Sequence, residues 1–168
     1  MNRFNITGQP SPDYVATYNP RTSTVSRLDV KNMPSRGFSS HGMDIVSSSS
    51  NPNELFLYLV NHRPPADGKN AWVVGADSSI EIFKTSVGSQ TMVHHATIED
   101  PLIMTPNDVV GSPDGKSFHI TNDYGTKAGA VSNHVMLYHP IFTPPTPLIG
   151  QNSVRISSST GICCILPR

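Results

Sequence analysis

The amino-acid sequence predicts an all-β protein, and three observations support that fold class. The 168 residues include 15 prolines and 12 glycines, which punctuate short apolar runs and favour many turns over long helices. Several of these runs alternate between apolar and polar residues or are rich in β-branched and aromatic side chains, as strands are. Finally, a block of polar residue, strand, polar turn and second strand occurs twice, which indicates a structural repeat.

The first predicted element is a strand pair within residues 13–30. The run from Tyr14 to Tyr18 alternates and contains β-forming residues. Asn19-Pro20 then opens a turn, and the run from Thr24 to Leu28 provides the second strand. A loop carrying Pro34 and Gly37 follows this pair.

The first copy of the repeat begins at His41-Gly42-Met43-Asp44-Ile45-Val46. A polar turn leads to residues 55–60, an almost wholly apolar run expected of a strand covered on both faces, which ends in Asn61-His62. After a loop rich in proline and glycine, residues 79–84 alternate, and residues 92–98 provide their hairpin partner.

The second copy begins at Pro106-Asn107-Asp108-Val109-Val110 and, after a turn at residues 112–116, ends in a strand followed by Asn122-Asp123. The two copies lie about 60 residues apart with a hairpin between them, which is the arrangement of a four-stranded propeller blade. The innermost strand of a blade starts beside the central channel, so polar residues at that point in successive blades converge on one site. The sequence thus predicts a partial β-propeller.

Beyond about residue 128 the pattern disappears. Residues 131–147 contain two histidines and four prolines without clear periodicity, and the serine-rich end of the chain carries Cys163 and Cys164. We therefore predict a propeller domain over residues 1–128 and an irregular, poorly structured tail over residues 129–168. Two adjacent cysteines make neither a disulfide framework nor a structural zinc site, and we assign them no function.

Composition excludes several classes of function. Twelve basic residues balance twelve acidic ones, so the net charge is zero and no basic patch is present to neutralise nucleic-acid phosphates. Glycine loops that cradle phosphates and the Gly-x-Ser-x-Gly motif of serine hydrolases are both missing from the sequence. No apolar run approaches the length needed for a membrane span, and residues 1–7 do not resemble a signal peptide, although the compartment stays open.

Asn107-Asp108 is the best candidate for a metal site. Calcium prefers hard oxygen ligands, which carboxylates, amide carbonyls and backbone carbonyls provide. Neighbouring side chains at the start of a strand can point in opposite directions and serve two ions. The alternative is a simple turn, because Asn and Asp favour turns through their local hydrogen bonds.

His41 and His62 are the candidate catalytic residues. His41 precedes an inner strand and His62 ends the next, so antiparallel pairing brings both to the same end of the sheet. A histidine can take a proton from water near neutral pH. The alternative is a pair of structural, hydrogen-bonded histidines. Asp123 follows its strand as His62 does and either lines the channel or belongs to a turn.

Together these segments, with Leu59-Val60-Asn61-His62 and Ser79-Ile80-Glu81-Ile82-Phe83-Lys84, resemble the paraoxonase family, whose members are arylesterases and lactonases. The resemblance runs from residue 1 to about residue 125. It implies a six-bladed propeller with two calcium ions in its channel, one catalytic and one structural, and hydrolysis of lactones and aryl esters.

The resemblance also implies a role for each matching residue. Asn107 corresponds to a ligand of the catalytic calcium, Asp108 to a ligand of the structural calcium, and Met43 to a backbone carbonyl that reaches the structural ion. His41 corresponds to a general base acting on water, with His62 assisting it. Asp123 corresponds to a position near the active site.

The expected blades amount to about two and a half of the six, so we expect a fragment in which most calcium ligands are missing and catalysis is negligible. The alternative is a non-enzymatic remnant or interaction protein that self-associates through open sheet edges. The expected substrate is a small lactone or ester of unspecified structure. Asn5 lies in an Asn-x-Thr glycosylation pattern, which matters only if the protein is secreted.

Overall fold

The computed structural model describes residues 13–33 and 36–123, together with the backbone of residues 137–142 and 163–164. Its strands are β1 (Ala16–Asn19), β2 (Thr24–Arg27), β3 (Asp29–Lys31), β4 (Ser40–Ser47), β5 (Glu54–Arg63), β6 (Asp77–Ser86), β7 (Thr91–Ile98), β8 (Pro106–Gly111), β9 (Ser117–Asn122), β10 (Leu137–Phe142) and β11 (Cys163–Cys164). A single helical turn, α1 (Ala71–Val74), lies between β5 and β6. The predicted all-β class is confirmed. Within the described ranges, no helix has the length and hydropathy of a membrane span.

The largest sheet has the strand order β3-β7-β6-β5-β4. Strands β4 to β7 pair antiparallel in sequence order and form one four-stranded blade, while β3 adds to β7 in parallel. A second sheet, β10-β9-β8, places β8 as the inner strand of the next blade. Strands β1 and β2 form the predicted hairpin, and β11 pairs with β1. The architecture is that of a partial propeller.

Two apolar clusters hold these layers together. One lies between the four-stranded blade and β8–β9, where Tyr58 and Ile82 pack against Phe118 and Ile120. The other lies on the opposite face of the blade, where Leu57, Leu59 and Phe83 pack against residues of the β1–β3 region. Strand β5 contributes to both clusters and is buried on both faces, as its apolar sequence predicts.

The chain beyond residue 128 contains two of the described strands. Residues 137–142 of β10 pair antiparallel with β9 from Leu137 opposite Asn122 to Phe142 opposite Ser117. Within the stretch predicted to be irregular, the structure describes only the backbone pairing of β10 with β9 and of the short β11 with β1, which requires no apolar periodicity. The proposed domain boundary near residue 128 stays a prediction.

Candidate active site

Two β-bulges shape the end of the sheet where the candidate residues lie. Pairing between β4 and β5 shifts register between Ser40 and Met43, which places His41 and Gly42 in the bulge. Pairing between β8 and β9 shifts between Pro106 and Asp108, which makes Asn107 the extra residue. A bulge re-aims a side chain that regular alternation would direct elsewhere. Both inner strands therefore carry a bulge at the residue predicted to be functional.

His41 and Asn107 meet across the boundary between the two blades. His41 Nε2 forms a hydrogen bond with Asn107 Oδ1 between β4 and β8. Gly42 permits this approach, because a Cβ at that position would overlap the Asn107 carbonyl oxygen and lie only 2.6 Å from Asp108 Cα. The amino-acid type at residue 42 thus controls how closely the two inner strands approach.

The contact with Asn107 sets the proton position on His41. An amide Oδ1 can only accept a hydrogen bond, so His41 Nε2 donates and Nδ1 keeps its lone pair. His41 Nδ1 is buried and has no hydrogen-bond partner among the residues that the structure describes. A general base requires a nitrogen with a free lone pair, and His41 Nδ1 meets that requirement.

His62 lies beside His41, as predicted from the strand order. The two ring centroids are 5.6 Å apart, with an angle of 58° between the ring planes. His62 Nδ1 lies 3.0 Å from Ser78 Oγ on the neighbouring strand β6. The backbone N–H of His62 donates to the Ser39 carbonyl at 2.8 Å. Ser78, which sequence reasoning did not single out, fixes the orientation of the second ring.

The proposed metal ligands lie next to this pair. Asp108 is exposed, and its Oδ1 accepts a hydrogen bond from the Val109 N–H at 2.9 Å. Met43 lies opposite Leu59 immediately after the bulge in β4. The N–H of Asp123 donates to the Thr105 carbonyl at 2.9 Å. Asn5 lies outside the described residues.

Two buried asparagines, which sequence reasoning noted only as strand ends, hold the loops that enter the inner strands. Asn61 Oδ1 accepts from the Ser39 N–H at 2.8 Å. Asn122 Oδ1 accepts from the N–H groups of Met104 and Thr105 at 3.2 and 3.0 Å. Each asparagine directly precedes a candidate residue, His62 or Asp123. The sequence signal for this shared role was that an Asn occurs at the end of the second strand in both copies of the repeat.

A buried carboxylate, Glu81, was also missed. The alternation of residues 79–84 predicted a half-buried strand, but β6 is buried continuously from Ser78 to Phe83. Only 1% of Glu81 is exposed. Four donors surround its carboxylate, and we call them with Glu81 the Glu81 cluster: Asn61, Ser79, His94 and Thr97. His94 is one of these donors and so belongs to a buried polar cluster.

The oxygen donors near His41 match calcium in kind. Asn107 offers an amide oxygen, Asp108 a carboxylate and Met43 a backbone carbonyl, whereas nitrogen or sulfur donors would favour zinc. Calcium takes roughly six to eight oxygens, so these three residues supply part of a shell. In the described ranges no group of three or more His, Cys, Asp and Glu side chains could hold a metal. Any calcium held here would therefore need amide and backbone oxygens in addition to the Asp108 carboxylate.

Comparison with known proteins identifies the family. Curated protein sequences gave no match to this chain. The family model described as Arylesterase matches residues 6–140, which is most of the chain and spans every candidate residue from His41 to Asp123. The members of that family hydrolyse esters. Given this match and the all-β blades described above, the chain belongs to the arylesterase (paraoxonase) family.

Proposed function

We propose that the site around His41 serves calcium-dependent hydrolysis of lactones and aryl esters. The observation that carries this proposal is the state of His41, whose buried Nδ1 has a free lone pair because Nε2 donates to Asn107 Oδ1. A structural histidine would be expected to use both nitrogens in hydrogen bonds. His41 instead keeps one nitrogen available for a water molecule or a substrate.

In this proposal His41 is the general base. A water molecule donates a hydrogen bond to Nδ1, and the ring takes the proton as the water oxygen attacks the ester or lactone carbonyl. The tetrahedral intermediate then collapses with cleavage of the acyl C–O bond, and the protonated ring returns the proton to the leaving oxygen. His62 packs beside His41, with Ser78 holding its ring, and assists by stabilising the charge that develops on His41. Asn107 keeps the His41 ring in one orientation and one tautomer, much as a carboxylate orients a catalytic histidine elsewhere.

Calcium would be held by Asn107, Asp108 and the Met43 carbonyl, with Asp123 close to the site. When bound, the ion supplies Lewis-acid stabilisation of the developing oxyanion. The described residues offer only part of a calcium shell, so we expect weak affinity for the ion and little turnover by this chain.

The test is hydrolysis of phenyl acetate and of a simple γ- or δ-lactone by the purified chain in millimolar calcium. We expect slow turnover that EDTA abolishes, and a fall of about 100-fold or more in His41→Gln, the scale of a lost general base. His95→Gln is the matched control, because His95 is exposed on β7 and packs on Phe56 away from the site.

Two results would contradict this proposal. One is hydrolysis that survives both EDTA and His41→Gln, which would place the chemistry elsewhere. The other is a folded chain that neither binds calcium nor hydrolyses either ester but assembles with rising concentration. That outcome would favour an interaction protein instead.

A further inference from the structure

Glu81 is the most deeply buried charged side chain near the site, and each of its oxygens has two donors. Oε1 accepts from Asn61 Nδ2 at 3.0 Å and from Ser79 Oγ at 2.8 Å. Oε2 accepts from Thr97 Oγ1 at 2.5 Å and lies 3.0 Å from His94 Nε2. A carboxylate is the only side chain that can accept all four hydrogen bonds at once.

Burial of this carboxylate has an energetic cost that the cluster offsets. Burial by itself raises the pKa of Glu81, but the hydrogen bonds of the Glu81 cluster outweigh it and lower the pKa below the usual glutamate value. Glu81 is therefore held ionised inside the blade. Apolar residues of similar volume usually stabilise a fold as well as buried charges do, so stability alone does not explain a carboxylate at this position.

Asn61 connects Glu81 to the segment that leads to His41. Its Nδ2 donates to Glu81 Oε1 and to the Gly37 carbonyl, the latter at 3.3 Å, while its Oδ1 accepts from the Ser39 N–H. A side-chain amide can adopt either of two flipped orientations. Glu81 and the Gly37 carbonyl can both only accept, so together they select the orientation in which Asn61 Oδ1 points at Ser39, and Glu81 makes the shorter of the two bonds. Ser39 lies two residues before His41.

The next blade provides an internal comparison. Asn122 makes the same kind of bonds as Asn61, with Nδ2 donating to the Leu102 carbonyl at 2.8 Å. Glu81 lies opposite Leu59, two residues before Asn61, and the corresponding register position opposite Ile120 is occupied by His139. We call an asparagine whose side chain binds the backbone entering an inner strand a clamp, and Asn122 shows that a clamp can form without a carboxylate beside it. The carboxylate is found in the blade that carries His41 and His62.

We propose that Glu81 is a positioning residue for His41, acting through Asn61 on the segment 37–39. Through this connection a hydrogen-bond acceptor on β6 influences where the bulge in β4 places the His41 ring relative to Asn107. The importance of His41 for hydrolysis rests on the function proposed above, whereas the structural coupling does not.

Glu81→Met tests the coupling, because Met fills a similar volume and accepts no hydrogen bond from Asn61. We expect the Ser39 amide to exchange with solvent about tenfold faster or more, as after loss of one hydrogen bond. We also expect the ¹⁵N signals of the His41 imidazole to move at one fixed pH. Glu81→Gln retains a carbonyl for Asn61 and should restore both readouts.

Tyr58→Phe is the matched control, because it removes a buried hydrogen bond in the same blade, from Tyr58 Oη to the Ser112 carbonyl at 2.8 Å. It should leave both readouts unchanged. If Glu81→Met does not fold, Glu81→Asp keeps the charge but withdraws it from Asn61 and should give the same changes. A folded Met or Asp variant with an unchanged Ser39 amide and His41 signal would overturn the inference. Neither readout needs turnover, so loss of the proposed hydrolysis alone would leave this inference standing.

Discussion

Asn61 and Asn122 occupy the same place in consecutive blades, and each binds with its side-chain oxygen the backbone that enters the inner strand. Both are fully buried. Both lie opposite the residue that precedes a bulge, Ser40 in one blade and Pro106 in the other. The repeat seen in the sequence is thus a repeat of hydrogen bonds as well as of strands.

Replacing Asn122 by Ala should destabilise the protein by about 1–3 kcal/mol, because the N–H groups of Met104 and Thr105 lose their acceptor. Urea denaturation measures this change. Asn51→Ala is the control, since the Asn51 side chain binds the Asn53 N–H in an exposed turn. Equal effects of the two substitutions would show that Asn122 does not act as a clamp.

Gly42→Ala should disturb the site directly. The added Cβ would meet the backbone of Asn107 and Asp108, which cannot rotate away, so the inner strands must separate. We expect a loss of about 1–3 kcal/mol from overpacking, together with displacement of His41 from Asn107. The checks are a urea titration and the NMR signals of the His41 ring.

Gly88→Ala is the control for that substitution. Gly88 has a φ of 81° in an exposed turn with open space where a Cβ would lie, so its cost comes from backbone strain alone. Gly88→Ala should change the free energy of unfolding but leave the NMR signals of the His41 ring unchanged. A shift of the His41 signals in Gly88→Ala, or none in Gly42→Ala, would contradict the account of strand approach.

Millimolar calcium should raise the melting temperature, because an ion that binds only the folded chain stabilises it. Circular dichroism in calcium and in EDTA measures the shift. Asp108→Asn should reduce it, whereas Asp114→Asn should not, since Asp114 caps an exposed turn at Lys116. A shift that is unchanged in Asp108→Asn would place the calcium elsewhere.

Glu81 should make the protein sensitive to acid. Its pKa is lowered in the folded chain from a usual value of 4.5, so its ionised form stabilises the fold above about pH 4.5. That contribution disappears as the pH falls through the folded-state pKa. Denaturation between pH 6 and pH 3 should show a shallower loss of stability in Glu81→Gln than in the unmodified chain. Asp114→Asn, an exposed substitution, should keep the original slope.

The sequence predicted the strands better than the contacts between them. Residues 55–60 were correctly assigned to a strand buried on both faces, because a continuous apolar run has few other uses in an all-β chain. The partial propeller followed from the repeated spacing. Strand β10 lies in the stretch predicted to be irregular, and its pairing with β9 depends on backbone groups, which leave no mark in side-chain periodicity.

In the candidate site, too, the sequence predicted the position of residues on their strands better than the contacts between their side chains. Strand order alone brought His41 and His62 together, as the ring separation of 5.6 Å confirms, while their catalytic roles stay predictions. The partnership of His41 with Asn107 could not be predicted, because it depends on two bulges that re-aim side chains from different blades. Glu81 was read as part of a simple alternation, since the donors that allow its burial are distant in sequence.

The hydrogen bond between His41 and Asn107 joins two separate repeats, and neither blade can form it alone. Strand content reports folding within each blade, whereas the His41 tautomer reports that the two blades have docked. In a repeat architecture such junctions can open while the units on either side stay folded. Any chemistry at His41 therefore depends on the junction between the two blades. Opening of this junction would separate His41 from Asn107 while the strands on either side stay folded.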